Sequence, residues 1–165
     1  MYWYSIQDKS NSLKSLINFF NQQTDTYAFI PKIEKWFNVK KVKKYVVKEM
    51  YPDYIFVKSC LNEDKFKEKY QRFLSDINSL ASLVKQGDSL VMDKEIQSIY
   101  ECLFNDKGVI EHSIGNIVES KLIIDQGPIK GLEKYVIKIN RHHRFALLQL
   151  NDGYLKVPLE VVSKS

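Results

Sequence analysis

The sequence predicts an α+β protein of two small domains: an antiparallel sheet flanked by helices, then a small all-β barrel. Three observations carry that prediction. In the first hundred residues, aromatic strand-like runs alternate with apolar stripes at helical spacing. Helical periodicity stops near Gly108. Beyond it, short strands follow one another at close intervals with turn signals between them. The expected division is residues 1–107, a linker at 108–115, and a second domain at 116–165.

Tyr2–Gln7 opens as an aromatic strand, and polar Asp8–Ser12 offers helix caps. Leu13, Leu16, Ile17 and Phe20 then fall on one face of a helix. Tyr27–Pro31 is a short second strand. Lys32–Lys48 holds seven lysines (32, 35, 40, 41, 43, 44 and 48) and one acid, Glu34. Helix and hairpin compete there, and the interspersed valines favour an extended hairpin arm. A proline turn leads to the strand Tyr54–Val57. Asn62–Asp64 can cap a helix in which Phe66, Tyr70 and Phe73 share a face. Leu80–Val84 reads as extended and Gln86-Gly87-Asp88 as a turn. Asp93 is the expected N-cap of a helix whose stripe is Ile96, Ile99, Tyr100 and Leu103. The barrel strands are expected at Ile117–Val118, Lys121–Ile124, Tyr135–Ile139, Phe145–Leu150 and Tyr154–Val157, the last two joined by the tight turn Asn151-Asp152-Gly153.

The 165 residues carry a formal net charge of +5, with 44% hydrophobic and 27% charged residues, as in globular domains. No apolar run approaches the roughly 20 residues needed to span a bilayer. The N-terminus lacks a basic segment followed by a long apolar one, so no signal peptide and a cytoplasmic location are expected. Cys60 and Cys102 each sit in an apolar context, form no CxxC pair and read as buried free thiols. No enzyme emerges. His112 and Ser113 are adjacent in sequence, which does not make a triad. Gly127–Lys130 lacks the spacing of a phosphate-binding loop. His142 and His143 have no Cys or carboxylate at ligand spacing, so neither a metal nor a cofactor is expected.

The most informative stretch is Gly127–Arg144, GPIKGLEKYVIKINRHHR. A Gly-Pro turn and Lys130-Gly131 precede a half-buried basic strand. Asn140-Arg141-His142-His143-Arg144 then turns the chain into the next strand. The stretch resembles the KOW motif of the NusG family of transcription elongation factors. Trp3-Tyr4-Ser5-Ile6-Gln7, Phe29-Ile30-Pro31-Lys32 and Met50–Val57 resemble that family's opening strand, its second strand and its aromatic-Pro-Gly-Tyr strand, in family order. Met92–Ile96, Gly127–Glu133 and Lys138–Arg144 look closest to the LoaP branch of antiterminators. There are departures. Asp53 stands where glycine is usual, Lys134 where a second KOW glycine is common, and Glu119-Ser120 where a Gly-Asp turn is usual.

The resemblance implies a NusG N-terminal-like domain followed by an SH3-like five-stranded β-barrel, the KOW domain. It implies a monomer that binds the clamp of RNA polymerase, with upstream DNA, a nascent RNA hairpin or a ribosomal protein as further partners and no membrane. Tyr51 and Tyr54 become the candidate polymerase contacts. Tyrosine offers a rigid apolar face and one hydroxyl at little rotamer cost, although core packing uses the same residues. Lys40, Lys41, Lys43 and Lys44 on the arm are candidates for phosphate contacts, with a solvated charged arm as the alternative. Lys130, Arg141, His142, His143 and Arg144 form a basic face on the barrel, suited to phosphates, guanine edges and stacking. A protein contact or a solvated turn would look the same. Trp36 and Phe37 could stack on bases or pack the arm. A KOW-type ribosomal or RNA-binding protein without polymerase contact is the alternative function.

Overall fold

The computed structural model describes residues 1–9, 12–77, 81–84, 91–151 and 153–165. The expected Gln86-Gly87-Asp88 turn, Leu80, and parts of the Asp8–Ser12 and Asn151–Gly153 segments lie outside them. The described residues form a mixed α+β structure with three α-helices and three sheets. They group into two compact units, Met1–Pro31 with Tyr51–Gln97, and Lys32–Met50 with Ser98–Ser165.

The first unit is built on an antiparallel sheet. Strands β1 (Tyr2–Asp8), β2 (Thr26–Phe29), β5 (Tyr54–Ser59) and β6 (Ala81–Val84) pair in the order β2-β5-β1-β6. Alternation along β5 sends Ile55 and Val57 to one face. There they join Tyr4, Ile6 and Ala28 against Leu16 and Phe20 of helix α1 (Leu13–Gln22) and Phe66, Tyr70 and Leu74 of helix α2 (Glu63–Ile77). The Tyr4 and Phe66 rings stack at 3.8 Å, and Phe19 stacks on Phe73 at 3.7 Å. The Lys65 amide donates to Asn62 Oδ1 (3.1 Å), so Asn62 caps α2. Asp93 does the same for helix α3 (Lys94–Leu103), accepting from the Glu95 amide at 2.8 Å. Asp25, beyond α1, accepts from Lys69 Nζ (2.5 Å) and from the Tyr70 hydroxyl. Burial pushes the Asp25 carboxyl up, but these two donors outweigh it and hold the group below the usual carboxylate range.

In the second unit, Lys32–Val39 (β3) and Val42–Glu49 (β4) form the hairpin, in register from Lys32↔Glu49 to Val39↔Val42. Of the two competing readings the extended one holds, because the β-branched residues pair across the ladder. Lys40 at the tip takes a left-handed φ of +55°. Strand β7 (Val109–Ile110) adds to β3 in parallel, Ile110 facing Ile33. Residues 108–115 were expected to be a linker. They contain β7 and the start of β8, because Ile110 and Ser113 are fully buried.

The five expected C-terminal strands are present: β8 (Ser113–Val118), β9 (Lys121–Gln126), β10 (Val136–Asn140), β11 (Phe145–Leu150) and β12 (Gly153–Lys164). They form one sheet in the order β10-β11-β12-β8-β9. Strand β12 divides its length, pairing through Pro158 antiparallel to β11 and from Leu159 parallel to β8. Ile124, Ile129, Ala146, Leu148, Leu155, Val157 and Leu159 make its core.

The departures from the family pattern have a backbone explanation. Asp53 adopts φ +67°, and Glu119 and Ser120 adopt +49° and +66°. The turns keep the left-handed geometry that glycine favours, with Asp, Glu and Ser bearing its cost. Lys134 lies in a 3-10 turn, Glu133–Tyr135, where no positive φ is required.

Candidate interaction surfaces

The sheet face of the first unit opposite the helices is aromatic. Trp3, Phe29 and Phe56 pack edge to face, with Trp3–Phe29 centroids at 5.7 Å and Phe29–Phe56 at 5.9 Å. Tyr51 continues the group, 6.2 Å from both Phe56 and Tyr54. Lys58 Nζ lies 4.5 Å over the Trp3 ring. The Trp3 amide donates to Gln97 Oε1 (2.9 Å). The two tyrosines differ in exposure. Tyr51 is 36% exposed, while Tyr54 is half-buried at the start of β5. The turn between them is fixed by Asp53, whose carbonyl accepts from the Asp8 amide at 2.8 Å. Trp3, Phe29 and Phe56 are themselves buried, so at this end of β5 the group reaches the surface through Tyr51, which lies against Phe56.

The hairpin of the second unit carries Lys40, Lys41, Lys43 and Lys44, all exposed. Its two faces differ. The register puts Glu34, Trp36, Asn38, Lys43, Tyr45 and Val47 on one side, and Lys35, Phe37, Lys44, Val46 and Lys48 on the other. The first side lies against the end of the C-terminal sheet. The Arg144 guanidinium sits 3.7 Å over the Trp36 ring and pairs with Glu160 (Nη1–Oε1 3.2 Å). Tyr45 stacks on His112 at 3.9 Å, 4° from parallel, and its hydroxyl reaches Glu160 Oε2 at 3.5 Å. Glu34 Oε2 accepts from the His112 backbone amide (2.9 Å) and lies 2.6 Å from His112 Nδ1. Burial pushes the Tyr45 hydroxyl up; Arg144 draws it down, Glu160 raises it again, and the net shift is upward.

The basic stretch thus splits. Arg141, His142 and His143 are exposed in the β10–β11 turn, the two imidazoles edge to face at 4.7 Å. Asn140 Oδ1 holds that turn by accepting from the His143 amide (2.8 Å). Arg144 is half-buried, at φ +52°, and its charge is engaged by Trp36 and Glu160. Lys130 is exposed, its Nζ donating to the Asp125 carbonyl at 3.2 Å. A groove of about 370 Å³ lined by Lys134, Tyr135, Ile137, Gln149, Leu150 and Asn151 lies at the opposite end of β11 from the turn.

Sequence reasoning missed Glu34, Tyr45, His112 and Glu160 as a cluster, because the partners are up to 115 positions apart. The one legible signal was Trp36, a large aromatic among lysines. Among the described residues, no group of three or more His, Cys, Asp or Glu could hold a metal ion, and no helix is long and apolar enough to cross a membrane.

A family model described as "Transcription termination factor nusG" matches residues 1–100 of the chain. No match to the chain was found among curated proteins.

Proposed function

The chain belongs to the NusG family, and from that premise we propose that it is a transcription elongation and antitermination factor of the LoaP type. Its N-terminal sheet docks on the clamp of RNA polymerase and suppresses pausing or termination. The C-terminal sheet serves as the KOW barrel and contacts nascent RNA or a protein partner such as a ribosomal protein. The lysine hairpin and the Arg141–His143 turn supply the nucleic-acid contacts. The factor acts in the cytoplasm as a monomer and does no bond chemistry. A clamp held closed favours elongation by population shift, to the extent that the factor binds the closed state more tightly.

The observation that carries this reading is the aromatic edge around Tyr51, which falls wholly within the matched residues 1–100. An exposed tyrosine backed by Tyr54 and Phe56 is already held in place, so little conformational entropy is lost on docking. Anchors of this type cost about 2 kcal/mol or more when truncated, which corresponds to about 30-fold in affinity. Purified chain with Tyr51→Ala and Tyr54→Ala should bind core polymerase about 30-fold more weakly while its circular dichroism is kept. Full-strength binding by the folded double variant would remove the clamp assignment.

A further inference from the structure

We propose that the outer edge of β2 is a strand-docking edge for a second copy of this chain, and that the side chain of Asn21 occupies it and keeps the chain monomeric.

Among the described residues β2 is the outermost strand of its sheet, with β5 on its inner side. Just outside the ladder the Cys60 amide donates to the Asp25 carbonyl. Antiparallel pairing alternates hydrogen-bonded and non-bonded pairs. Counting on from that bond, the bonded pairs are Tyr27↔Lys58 and Phe29↔Phe56. Thr26 and Ala28 therefore turn their backbone N–H and C=O away from β5. An outer strand with its polar groups turned outwards is a template for another chain.

At Ala28 the template is already taken. Its amide donates to Asn21 Oδ1 at 2.7 Å, and its carbonyl accepts from Asn21 Nδ2 at 3.1 Å. A residue of a neighbouring strand would exchange the same pair of bonds. The last turn of α1 is pinned where this can happen. The Thr26 hydroxyl and the Gln23 amide both donate to the Phe20 carbonyl, at 2.6 and 3.1 Å, and Phe20 is fully buried. Asparagine is a poorer helix former than alanine, so the edge and not the helix accounts for Asn21.

A second copy is the occupant because β2 is complementary to itself. Antiparallel pairing about Tyr27 sets Thr26 of each copy opposite Ala28 of the other. These are bonded positions, so both pairs exchange N–H and C=O under two-fold symmetry. Tyr27 is 43% exposed on the face opposite the helices. It would meet its own copy at the close, non-bonded position, where an aromatic pair is stabilising. Thr26–Phe29 contains no charged residue, so nothing in the strand repels that match.

The test uses the full chain alone. Amide exchange in the dilute parent, read by NMR, should be slower at Ala28 than at Thr26, although both amides point off the same edge. Asn21→Ala should abolish that difference with the circular dichroism kept. At high concentration the same variant should dimerise by light scattering, about tenfold or more tightly than the parent. Dimerisation should slow exchange at Thr26 and Ala28 together. Adding Tyr27→Lys sets like charges opposite each other and should restore the monomer. Equal exchange at the two amides in the parent would overturn the proposal without any variant, even if Asn21→Ala failed to fold. So would Ala28 protection that survives in dilute Asn21→Ala, or a variant that stays monomeric at every concentration. A dimer that protects other amides, or that persists with Tyr27→Lys, would place the contact elsewhere and overturn it as well.

Discussion

Gly127→Ala should be among the most damaging small substitutions in the C-terminal sheet. Gly127 has φ +112°, and a Cβ there would lie 2.4 Å from Ser113 Cα and 2.5 Å from its Oγ. Ordinary contact begins near 3.4 Å, so the two segments must part by about 1 Å. Ser113 is fully buried and its Oγ accepts from the Ile129 amide at 3.1 Å, so it has nowhere to move. The conformational term for an L-residue at positive φ is about 1–2 kcal/mol, and overpacking adds about 1–3 kcal/mol. Gly131 is the internal control. Its φ of +88° carries the first term, but nothing lies within 4 Å of its would-be Cβ. At about 2–4 °C per kcal/mol for a chain of this size, Gly127→Ala should melt about 10 °C lower and Gly131→Ala about 4 °C lower. Thermal unfolding followed by circular dichroism measures both. Equal losses, or a larger one for Gly131→Ala, would refute the reasoning that close approach distinguishes the two glycines.

Two further predictions concern the N-terminal unit. Because the folded Asp25 carboxyl is held below its ordinary value of about 3.9, its stabilisation is complete above that pH and is lost as pH falls through the lower folded value. Asp25→Asn should therefore melt below the parent at neutral pH, with a gap that persists at pH about 5 and closes below about 4; a gap independent of pH would count against it. Tyr51 is the more exposed of the two tyrosines. Tyr51→Ala should thus lower the melting temperature less than Tyr54→Ala while weakening polymerase binding at least as much, and the reverse order in both measurements would mark Tyr51 as a packing residue.

Elements with a strong local signal were legible in the sequence. The stripes of α1 and α3, the Asn62 and Asp93 caps, and the positions of the five C-terminal strands follow from spacing and capping chemistry, although β8 and β12 run well beyond the expected 117–118 and 154–157 and Tyr135 lies in the 3-10 turn before β10. An apolar sequence context misled at Cys60 and Cys102, which were expected to be buried and are both exposed. The hairpin was open between two readings until cross-strand pairing decided it, since seven lysines obscure any periodicity. Residues 108–115 resisted for a different reason. Two apolar residues, Val109 and Ile110, are too short a run to announce a strand, and only pairing with Ile33 reveals one. Arg144 shows the limit most clearly. In sequence it is one of four basic residues in a row, equivalent to Arg141. In the fold its left-handed backbone turns it onto Trp36, 108 positions away, and separates its role from that of its neighbours.

The central claim is that this chain changes what RNA polymerase does at pause and termination sites through its aromatic edge. Single-round transcription through an intrinsic terminator, with polymerase alone, with the chain, and with its Tyr51→Ala/Tyr54→Ala variant, tests it most directly. Read-through should rise when the chain is added and return towards the polymerase-alone level with the variant. Read-through unchanged by the chain, or raised equally by chain and variant, would contradict the account.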